Sequence, residues 1–292
     1  MSELTTLVAE PWPDWGLIDC GNGRKLERYG EVKVVRPEPQ AMWTPAAEAW
    51  DPDATFVPGS DEEGGGRWVE HRRVPRAWQL SRGDVRFAAS LTPFRHLGFF
   101  PDMAPQWDWM RAKIEQGRSD DADVLNLFGY TGVGTLLLSD AGARLVHVDA
   151  SRKSVDQAKE NARLSEMDDR PIRWIVDDAG KFTAREARRA RRYDGILLDP
   201  PKFGRGPNGE VWRLEENLAS LLADCRKLFD ENSRFLVLTA YAVRMSALAI
   251  GELLKQTLGD LGGTVEIGEM AVREETRGLL LPTAIFARWS ND

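Results

Sequence analysis

Short apolar runs recur along the last two thirds of the chain, and polar stretches with helical spacing separate them. The runs predict strands at residues 124–128, 144–148, 172–176, 195–198, 235–238 and 284–289. Behind the capping residue Ser151, Val155, Ala158 and Ala162 share one face of a predicted helix. A second apolar helical face carries Leu218, Leu221, Leu222, Cys225, Leu228 and Phe229. This alternation predicts a mostly parallel sheet with helices on both faces.

Before residue 95 the pattern differs, because short extended runs alternate with turn residues and helical spacing is weak. Gly21–Gly23 and Arg82–Asp84 are typical of hairpin turns. We expect a small antiparallel β unit there, and a flexible loop near 50–67, where Gly, Asp and Pro dominate. The predicted fold class is therefore α/β, a doubly wound Rossmann-like sheet over 96–292 with a small β-rich domain over 1–95.

Composition narrows the functional classes. The 292 residues are 42% hydrophobic, enough for one large domain or two modest ones. The two cysteines, Cys20 and Cys225, lack metal-ligand spacing, which argues against a zinc site or a disulfide framework. The chain starts without a signal-like sequence and its apolar runs are short, so we expect a soluble cytoplasmic protein with no metal and no membrane segment. The net charge of −7 argues against extensive phosphate binding but allows a local basic patch.

Candidate ligand-binding groups follow four consecutive predicted strands. In an open parallel sheet, ligands bind beyond the carboxyl ends of the strands. The first strand leads into a glycine-rich turn within Asn126–Thr135, where glycine lets the backbone approach a ligand closely. Asp149, twenty residues after Gly129, can accept hydrogen bonds from both hydroxyls of a ribose. Asp178 can reach an adenine amino group, and the fourth strand leads into Asp199.

Each of these features has an ordinary structural explanation when it stands alone. Glycines after a strand often form only a tight turn, and a lone aspartate is more often a helix cap or a solvated residue. It is improbable that four suitable groups follow four consecutive strands at one sheet edge by chance. A nicotinamide dinucleotide is an alternative ligand, but its fingerprint is G-x-G-x-x-G, whereas the turn here reads G-x-x-G-x-G. The pattern therefore favours S-adenosylmethionine (SAM).

The segments at these strand ends resemble a known family. Residues 126–135, Asp149, 177–178 and 199–203 (D-P-P-K-F) look like motifs of the SAM-dependent ribosomal RNA methyltransferases that modify the large subunit. The similarity is to the branch whose best-known members make 5-methylcytosine, and Gly98–Asp102 resembles its G-F-F-x-D segment. The resemblance covers about residues 95 to 292, and the N-terminal part resembles that family's RNA-binding appendage much less clearly.

The resemblance implies roles for individual residues. Gly129 and Gly132 would line SAM. Asp149 would hold the ribose, and Asp178 the adenine. The expected cofactor-binding residues are Phe100, Asp102, Asn126, Phe128, Gly129, Tyr130, Thr131, Gly132, Asp149, Ala150, Asp177, Asp178 and Asp199. Among them, Phe100 and Asp102 would lie near the amino-acid end of SAM.

A second implied group faces the acceptor. The resemblance places Asp199 and Pro200 against the target base, and we add Lys202 and Tyr241 as candidate catalytic residues. Methylation of pyrimidine carbon 5 requires a cysteine nucleophile, which the family's cytosine enzymes carry just after the fifth strand. Here residues 238–242 read L-T-A-Y-A. We therefore favour a nitrogen acceptor, with Tyr241 either stacking on the base or forming an ordinary wall of the site.

The two cysteines elsewhere in the chain do not replace the missing nucleophile. Cys225 lies on the apolar face of a predicted helix, so we expect it to be buried and inert. Cys20 lies in the other domain with nothing nearby to lower its pKa, so we expect it to be inert as well.

Basic residues give two possible RNA-binding surfaces. Arg185, Arg188, Arg189, Arg191 and Arg192 form a cluster for which a solvated helix face is the favoured explanation. Arg24, Lys25, Arg28, Arg72, Arg73 and Arg76 lie among aromatic residues that either bind nucleic acid or form the core of the β domain.

The sequence thus predicts a SAM-dependent methyltransferase acting on a base of ribosomal or other structured RNA. The alternatives are methylation of a small molecule or protein, and a non-catalytic SAM- or RNA-binding protein. The oligomeric state stays open.

Overall fold

A computed structural model of the chain describes residues 3–59, 65–116, 122–241 and 243–291. Contacts between Cα atoms divide the chain into two units. The sheet unit comprises residues 1–7, 105–270 and 284–292, and the β unit comprises residues 8–104 and 271–283. The predicted domains, 1–95 and 96–292, place the division nine residues earlier. They also assign residues 1–7 to the β-rich part and residues 271–283 to the sheet part, the reverse of the two units. The predicted domain bounds remain a prediction.

Strands and helices occupy most of the described residues. The strands are β1 (Leu4–Ala9), β2 (Trp15–Gly21), β3 (Arg24–Tyr29), β4 (Val32–Pro37), β5 (Ala54–Pro58), β6 (Gly66–Glu70), β7 (Trp78–Arg82), β8 (Val85–Ala89), β9 (Asp123–Leu127), β10 (Arg144–Asp149), β11 (Ile172–Val176), β12 (Gly195–Leu198), β13 (Phe203–Arg205), β14 (Val211–Arg213), β15 (Phe235–Tyr241), β16 (Thr264–Arg273) and β17 (Leu280–Ser290). The helices are α1 (Ala104–Glu115), α2 (Val133–Asp140), α3 (Arg152–Leu164), α4 (Ala179–Arg188), α5 (Leu214–Arg226) and α6 (Ala247–Leu258), with 3₁₀ turns at Pro101–Met103 and Gly259–Leu261.

The main sheet has eight strands in the order β1-β16-β17-β15-β12-β9-β10-β11. Strands β11, β10, β9, β12 and β15 run parallel, and β17 is antiparallel to β15. The chain proceeds from β9 to β11 on one side and then returns to place β12 on the other side of β9. Strand order therefore reverses between β9 and β12, where ligands bind in such sheets. The α/β fold class with a mixed central sheet is confirmed.

Local sequence explains why these elements form. The Ser151 side chain accepts a hydrogen bond from the Ser154 amide (3.2 Å) and caps α3, whose Val155, Ala158 and Ala162 are buried as predicted. The predicted apolar face of α5 is also buried, and its residues join one core with β12 and β15. The predicted strands appear as β9, β10, β11, β12, β15 and β17, with β15 and β17 longer than expected.

The β unit holds a five-stranded sheet, β2-β3-β4-β5-β6, and the hairpin β7-β8. Both predicted hairpin turns are confirmed, with Asn22, Gly23 and Gly83 in the left-handed region (φ 51°, 72° and 59°). The prediction of a wholly antiparallel unit is wrong, because β4 and β5 pair in parallel. The connection over residues 38–53 is long enough to return the chain to the same end of the sheet.

The predicted loop over 50–67 is also wrong in part. Strand β5 occupies Ala54–Pro58 and pairs with β6, which begins at Gly66. Ala54 and Phe56 are buried and their neighbours are more exposed, an alternation that the surrounding Gly, Asp and Pro residues obscure. Residues 60–64, also within that prediction, lie outside the described residues. No helix in the described ranges is long and apolar enough to cross a membrane.

A glycine in β12 gives a test of the sheet packing. A Cβ atom on Gly195 would lie 2.2 Å from the buried Phe235 ring, its neighbour across the strands. We expect Gly195→Ala to lower the free energy of unfolding by about 1–3 kcal/mol, because the ring must move within a packed core. Urea denaturation measures the change. Gly259→Ala is the control, since Gly259 has φ −61° and no atom within 4 Å of its Cβ position. Equal stability of the two variants would contradict this packing.

Candidate cofactor and acceptor site

The turn after β9 has an unusual backbone. Phe128 and Tyr130 both lie in the left-handed region, with φ of 60° and 50°, on either side of Gly129. Such conformations cost about 1–3 kcal/mol for non-glycine residues and persist only where the surroundings hold them. Two hydrogen bonds do so here: the Gly129 amide donates to the Val148 carbonyl (3.0 Å), and the Tyr130 amide donates to Asp149 Oδ2 (2.9 Å). The turn is therefore tied to the end of β10.

Asp149 is fixed at both carboxylate oxygens. Oδ2 accepts from the Tyr130 amide, and Oδ1 accepts from the Ser151 amide (2.8 Å), with the half-buried Ala150 between. Burial raises the pKa of Asp149, and the two amide hydrogen bonds oppose that rise. A carboxylate has about four lone-pair sites, so each oxygen can accept a further hydrogen bond. This geometry suits a carboxylate that receives a pair of hydroxyls.

Three buried polar side chains in hydrogen-bond contact with one another pack beneath the turn. Asn126 Nδ2 donates to Thr135 Oγ1 (2.8 Å), which lies 2.8 Å from Nδ1 of the fully buried His147. A Cβ atom on Gly129 would lie 2.4 Å from Cε1 of His147. Packing against the histidine thus requires glycine at this position, in addition to the close ligand approach expected from the sequence. Burial lowers the pKa of His147 to about 3, so the imidazole is neutral.

The second half of the turn is held by α3. The Thr131 carbonyl accepts a hydrogen bond from Asn161 Nδ2 (2.9 Å), and both side chains are buried. Gly132 has φ 79° at the N-cap of α2, and a Cβ atom there would lie 2.8 Å from Ala158 Cβ. Neither Asn161 nor Ala158 was a candidate from the sequence, because their contact with the turn depends on how α3 packs.

The aspartates after β11 have structural partners. Asp178 caps α4, its Oδ1 accepting from the Lys181 amide (2.9 Å). Asp177 accepts from the Asp178 amide (2.8 Å) and from Arg185 (2.6 Å). The structure thus fixes Asp178 at the same sheet edge as Asp149, and its expected contact with adenine remains a prediction.

The acceptor motif follows β12. Asp199 Oδ1 accepts a hydrogen bond from the hydroxyl of Thr239, a fully buried residue of β15. Thr239 is not a candidate from the sequence, because its position opposite Asp199 depends on the pairing of β12 with β15. Pro200 is buried, whereas Lys202 is exposed.

The end of β15 lies at the same edge. Tyr241 is half-buried there, as the last residue of the strand. Ala242, the last residue of the segment compared with the cysteine element, lies outside the described residues.

Phe100 and Asp102 belong to the β unit. Asp102 is buried in the 3₁₀ turn, and the Phe100 ring lies 4.7 Å from that of His96. Their expected role near the amino-acid end of SAM remains a prediction.

Both thiols are buried, and the sequence predicts this burial for Cys225. Burial, with a hydrogen bond to Glu274, raises the pKa of Cys20 to about 12, and burial raises the pKa of Cys225. Neither thiol is therefore suited to act as a thiolate nucleophile. Within the described ranges, no cluster of three or more His, Cys, Asp or Glu side chains could hold a metal ion.

Six of the eleven basic residues considered for RNA binding have acidic partners. Ion pairs join Lys25 to Glu38 (3.2 Å), Arg28 to Glu275 (2.8 Å), Arg72 to Asp51 (2.6 Å), Arg185 to Asp177 (2.6 Å), Arg189 to Glu186 (3.1 Å) and Arg191 to Asp123 (3.6 Å). Trp15 is fully buried within the β unit, and Arg24 stacks over Trp50 at 5.4 Å. These contacts favour the explanation that the aromatic and basic residues of the β unit stabilise that unit, over the explanation that they bind RNA.

The donor set fits SAM. Asp149, Asp177, Asp178 and Asp199 place four carboxylates at the ends of β10, β11 and β12. The sulfonium and ammonium groups of SAM are cations, whereas a dinucleotide carries an anionic pyrophosphate. An edge rich in carboxylates favours the cationic ligand, and the fixed Asp149 carboxylate suits its ribose.

The buried histidine makes stability depend on pH. Its pKa is lowered from 6.5 to about 3 in the folded protein, so only the unfolded chain gains a proton between these values. The free energy of unfolding should therefore fall as pH falls. Between about pH 7.5 and about pH 5, we expect the free energy of unfolding to fall by about 2 kcal/mol less in His147→Gln than in the wild type. Urea denaturation at both pH values measures it.

His71→Gln removes an exposed histidine and serves as the control, which should keep the wild-type pH dependence. The same pH dependence in His147→Gln as in the wild type would show that His147 is not buried as a neutral group.

Comparison with known proteins agrees with this geometry. The family of S-adenosylmethionine-dependent methyltransferases matches residues 62–227. The crystal structure of the SAM-dependent methyltransferase from Agrobacterium tumefaciens is 43% identical, with a TM-score of 0.91, over 100% of this chain and 98% of that one.

Two curated relatives are ribosomal RNA large subunit methyltransferases. Methyltransferase K/L from Pseudoalteromonas atlantica is 25% identical over 80% of this chain and 36% of its own length. Methyltransferase I from Aeromonas hydrophila is 28% identical over 60% of this chain and 41% of its own length. The matched region therefore spans well under half of each relative. With the family match extending over more than half of the chain, the protein belongs to the SAM-dependent methyltransferases.

Proposed function

We propose that this methyltransferase modifies a nitrogen atom of a base in large-subunit ribosomal RNA. The names of the two curated relatives support the RNA class. The observation that carries the choice of nitrogen is the acceptor motif, in which a carboxylate, Asp199, is held by Thr239 while both described thiols are buried elsewhere. The proposal places the protein in the cytoplasm, together with its substrate.

Residues at the ends of β9, β10 and β11 would bind the cofactor. We assign the ribose hydroxyls to the Asp149 carboxylate and the adenine amino group to Asp178. The strained turn from Phe128 to Gly132 would lie along the nucleoside, held in place before binding by its hydrogen bonds to β10 and α3. When bound, SAM supplies an electrophilic methyl group on a positively charged sulfur.

Asp199 and its neighbours would position the acceptor. Thr239 donates to Oδ1, which fixes the orientation of the carboxylate, and an N–H of the acceptor can then donate to Asp199. Such a hydrogen bond aims the nitrogen lone pair and receives the proton that the nitrogen loses. Pro200 and Pro201 restrict the backbone after the carboxylate, so the acceptor group is held in one geometry. Lys202 and Tyr241 would contact the rest of the acceptor.

Carbon acceptors require different chemistry. Carbon 5 of a pyrimidine becomes nucleophilic only after a thiolate adds to the ring. Burial raises the pKa of Cys20 and Cys225, which opposes thiolate formation at either residue. A nitrogen acceptor needs no covalent intermediate, so it matches the residues that are present.

A small-molecule or protein acceptor is the second candidate, which the net charge of −7 favours. The non-catalytic alternative is set aside, because the chain belongs to a family of methyltransferases.

The proposal is tested by transfer of a labelled methyl group from SAM to total RNA of a strain lacking the gene, followed by nucleoside analysis. We expect label in one N-methylated nucleoside. Asp199→Asn should lower the rate by about 100-fold or more, because the amide cannot accept the acceptor proton. Calorimetry should show that SAM still binds, because Asp149 and Asp178 would hold its nucleoside.

Thr239→Val should give an intermediate loss, since Asp199 then keeps its charge but not its orientation. Asp168→Asn, an exposed substitution of the same kind, is the control and should retain wild-type activity. Label in 5-methylcytosine would contradict the nitrogen assignment. Absence of label from RNA, with SAM binding intact, would favour the small-molecule or protein acceptor.

A further inference from the structure

A short hairpin follows the acceptor motif directly. Strand β13 begins at Phe203, four residues after Asp199, and pairs with β14 in antiparallel register. Residues paired across an antiparallel hairpin share a face, and alternate residues along each strand face opposite sides. The registers Phe203–Arg213 and Arg205–Val211 therefore put these four side chains on one face, and Gly204 and Trp212 on the other.

The face that carries Gly204 and Trp212, here called the inner face, packs against the turn after β9, Phe128 to Gly132, here called the cofactor turn. Trp212 is 7% exposed, its Nε1 donates to the Pro201 carbonyl (2.7 Å), and its ring lies 4.9 Å from that of Phe128. At the hairpin turn, Glu210 pairs with Lys181 at the start of α4. The hairpin, which begins four residues after Asp199, is thus fixed on two sides.

The opposite face, here called the outer face, carries Phe203, Arg205, Val211 and Arg213, and these apolar and cationic side chains are exposed. Phe203 is 42% exposed and Val211 is 51% exposed. The Arg205 guanidinium lies 6.0 Å from the centre of the Phe203 ring, and Arg213, also exposed, pairs with Glu216 at 3.0 Å. An exposed aromatic ring flanked by arginines matches single-stranded nucleic acid, whose bases stack on the ring and whose phosphates are neutralised by the cations.

We infer that this outer face binds the nucleotide next to the acceptor base in the RNA substrate. Its base would stack on Phe203, and the adjoining phosphates would pair with Arg205 and Arg213. The inference rests on the proposed RNA substrate. It adds a contact surface that begins at Phe203, four residues after Asp199. Six of the eleven other basic residues considered for RNA binding are ion-paired, as Arg213 is with Glu216, so the cation that this surface adds is chiefly Arg205.

The test is binding of a fluorescent single-stranded RNA of about 12 nucleotides, together with methyl transfer to RNA from the strain lacking the gene. Phe203→Ala should weaken RNA binding and raise KM for RNA by about tenfold, because one base loses its stacking partner. The affinity for SAM should not change. Phe203→Tyr should restore both, because it keeps the aromatic ring. Arg205→Ala should lower the slope of log affinity against log salt by about one.

Matched controls come from the same chain. Phe94→Ala removes a phenylalanine that is 56% exposed, and Arg173→Ala removes an exposed arginine of β11. Both should leave RNA affinity and KM unchanged. Phe203→Leu keeps an apolar side chain without a flat ring, so a binding loss in this variant separates stacking from any loosening of the hairpin.

Two contrary results are distinguishable. If the wild type binds and methylates RNA but Phe203→Ala and Arg205→Ala match their controls, the hairpin does not contact the substrate and the proposed function stands. If the wild type binds SAM but neither binds nor methylates RNA, the RNA substrate and the role of the hairpin are both overturned.

Discussion

The parallel register of β11, β10, β9, β12 and β15 is the constraint from which the rest of the site follows. Parallel strands end at the same edge, so each loop that leaves the sheet there brings its first residues into one region. Reversal of strand order between β9 and β12 separates the loops enough to admit a ligand. The cofactor turn lies on the β9 and β10 side, and Asp199 follows β12 on the other. Cofactor and acceptor chemistry are therefore assigned to opposite sides of one crevice.

Rigidity at this edge comes from side chains that have no direct part in the chemistry. The neutral His147 and Thr135 fill the space beneath Gly129, and Asn161 fixes the far end of the turn. Because these groups are buried and hydrogen-bonded, the left-handed Phe128 and Tyr130 are held before ligand binds. Thr239 does the same for Asp199. Binding a nucleoside to such an edge costs less conformational entropy than ordering a loose loop.

Much of this arrangement could be predicted from the sequence, for physical reasons. Strand runs, the cap at Ser151 and the glycine turn depend on local periodicity and backbone preference, which the sequence displays directly. Thr239, Asn161 and Trp212 could not be found that way, since their contacts lie 40, 30 and 11 residues away along the chain. Strand β5 was missed because turn-forming residues surround it, and the parallel β4–β5 pair depends on a crossover that periodicity does not show.

The structure of the protein in complex with S-adenosylhomocysteine tests the central claim most directly, because it shows which strand ends hold the nucleoside. The predicted result has both ribose hydroxyls donating to the Asp149 carboxylate, the adenine amino group donating to Asp178, and the sulfur on the side of the crevice that leads to Asp199. A nucleoside bound away from the ends of β9 and β10, or a ribose held by residues other than Asp149, would contradict the account.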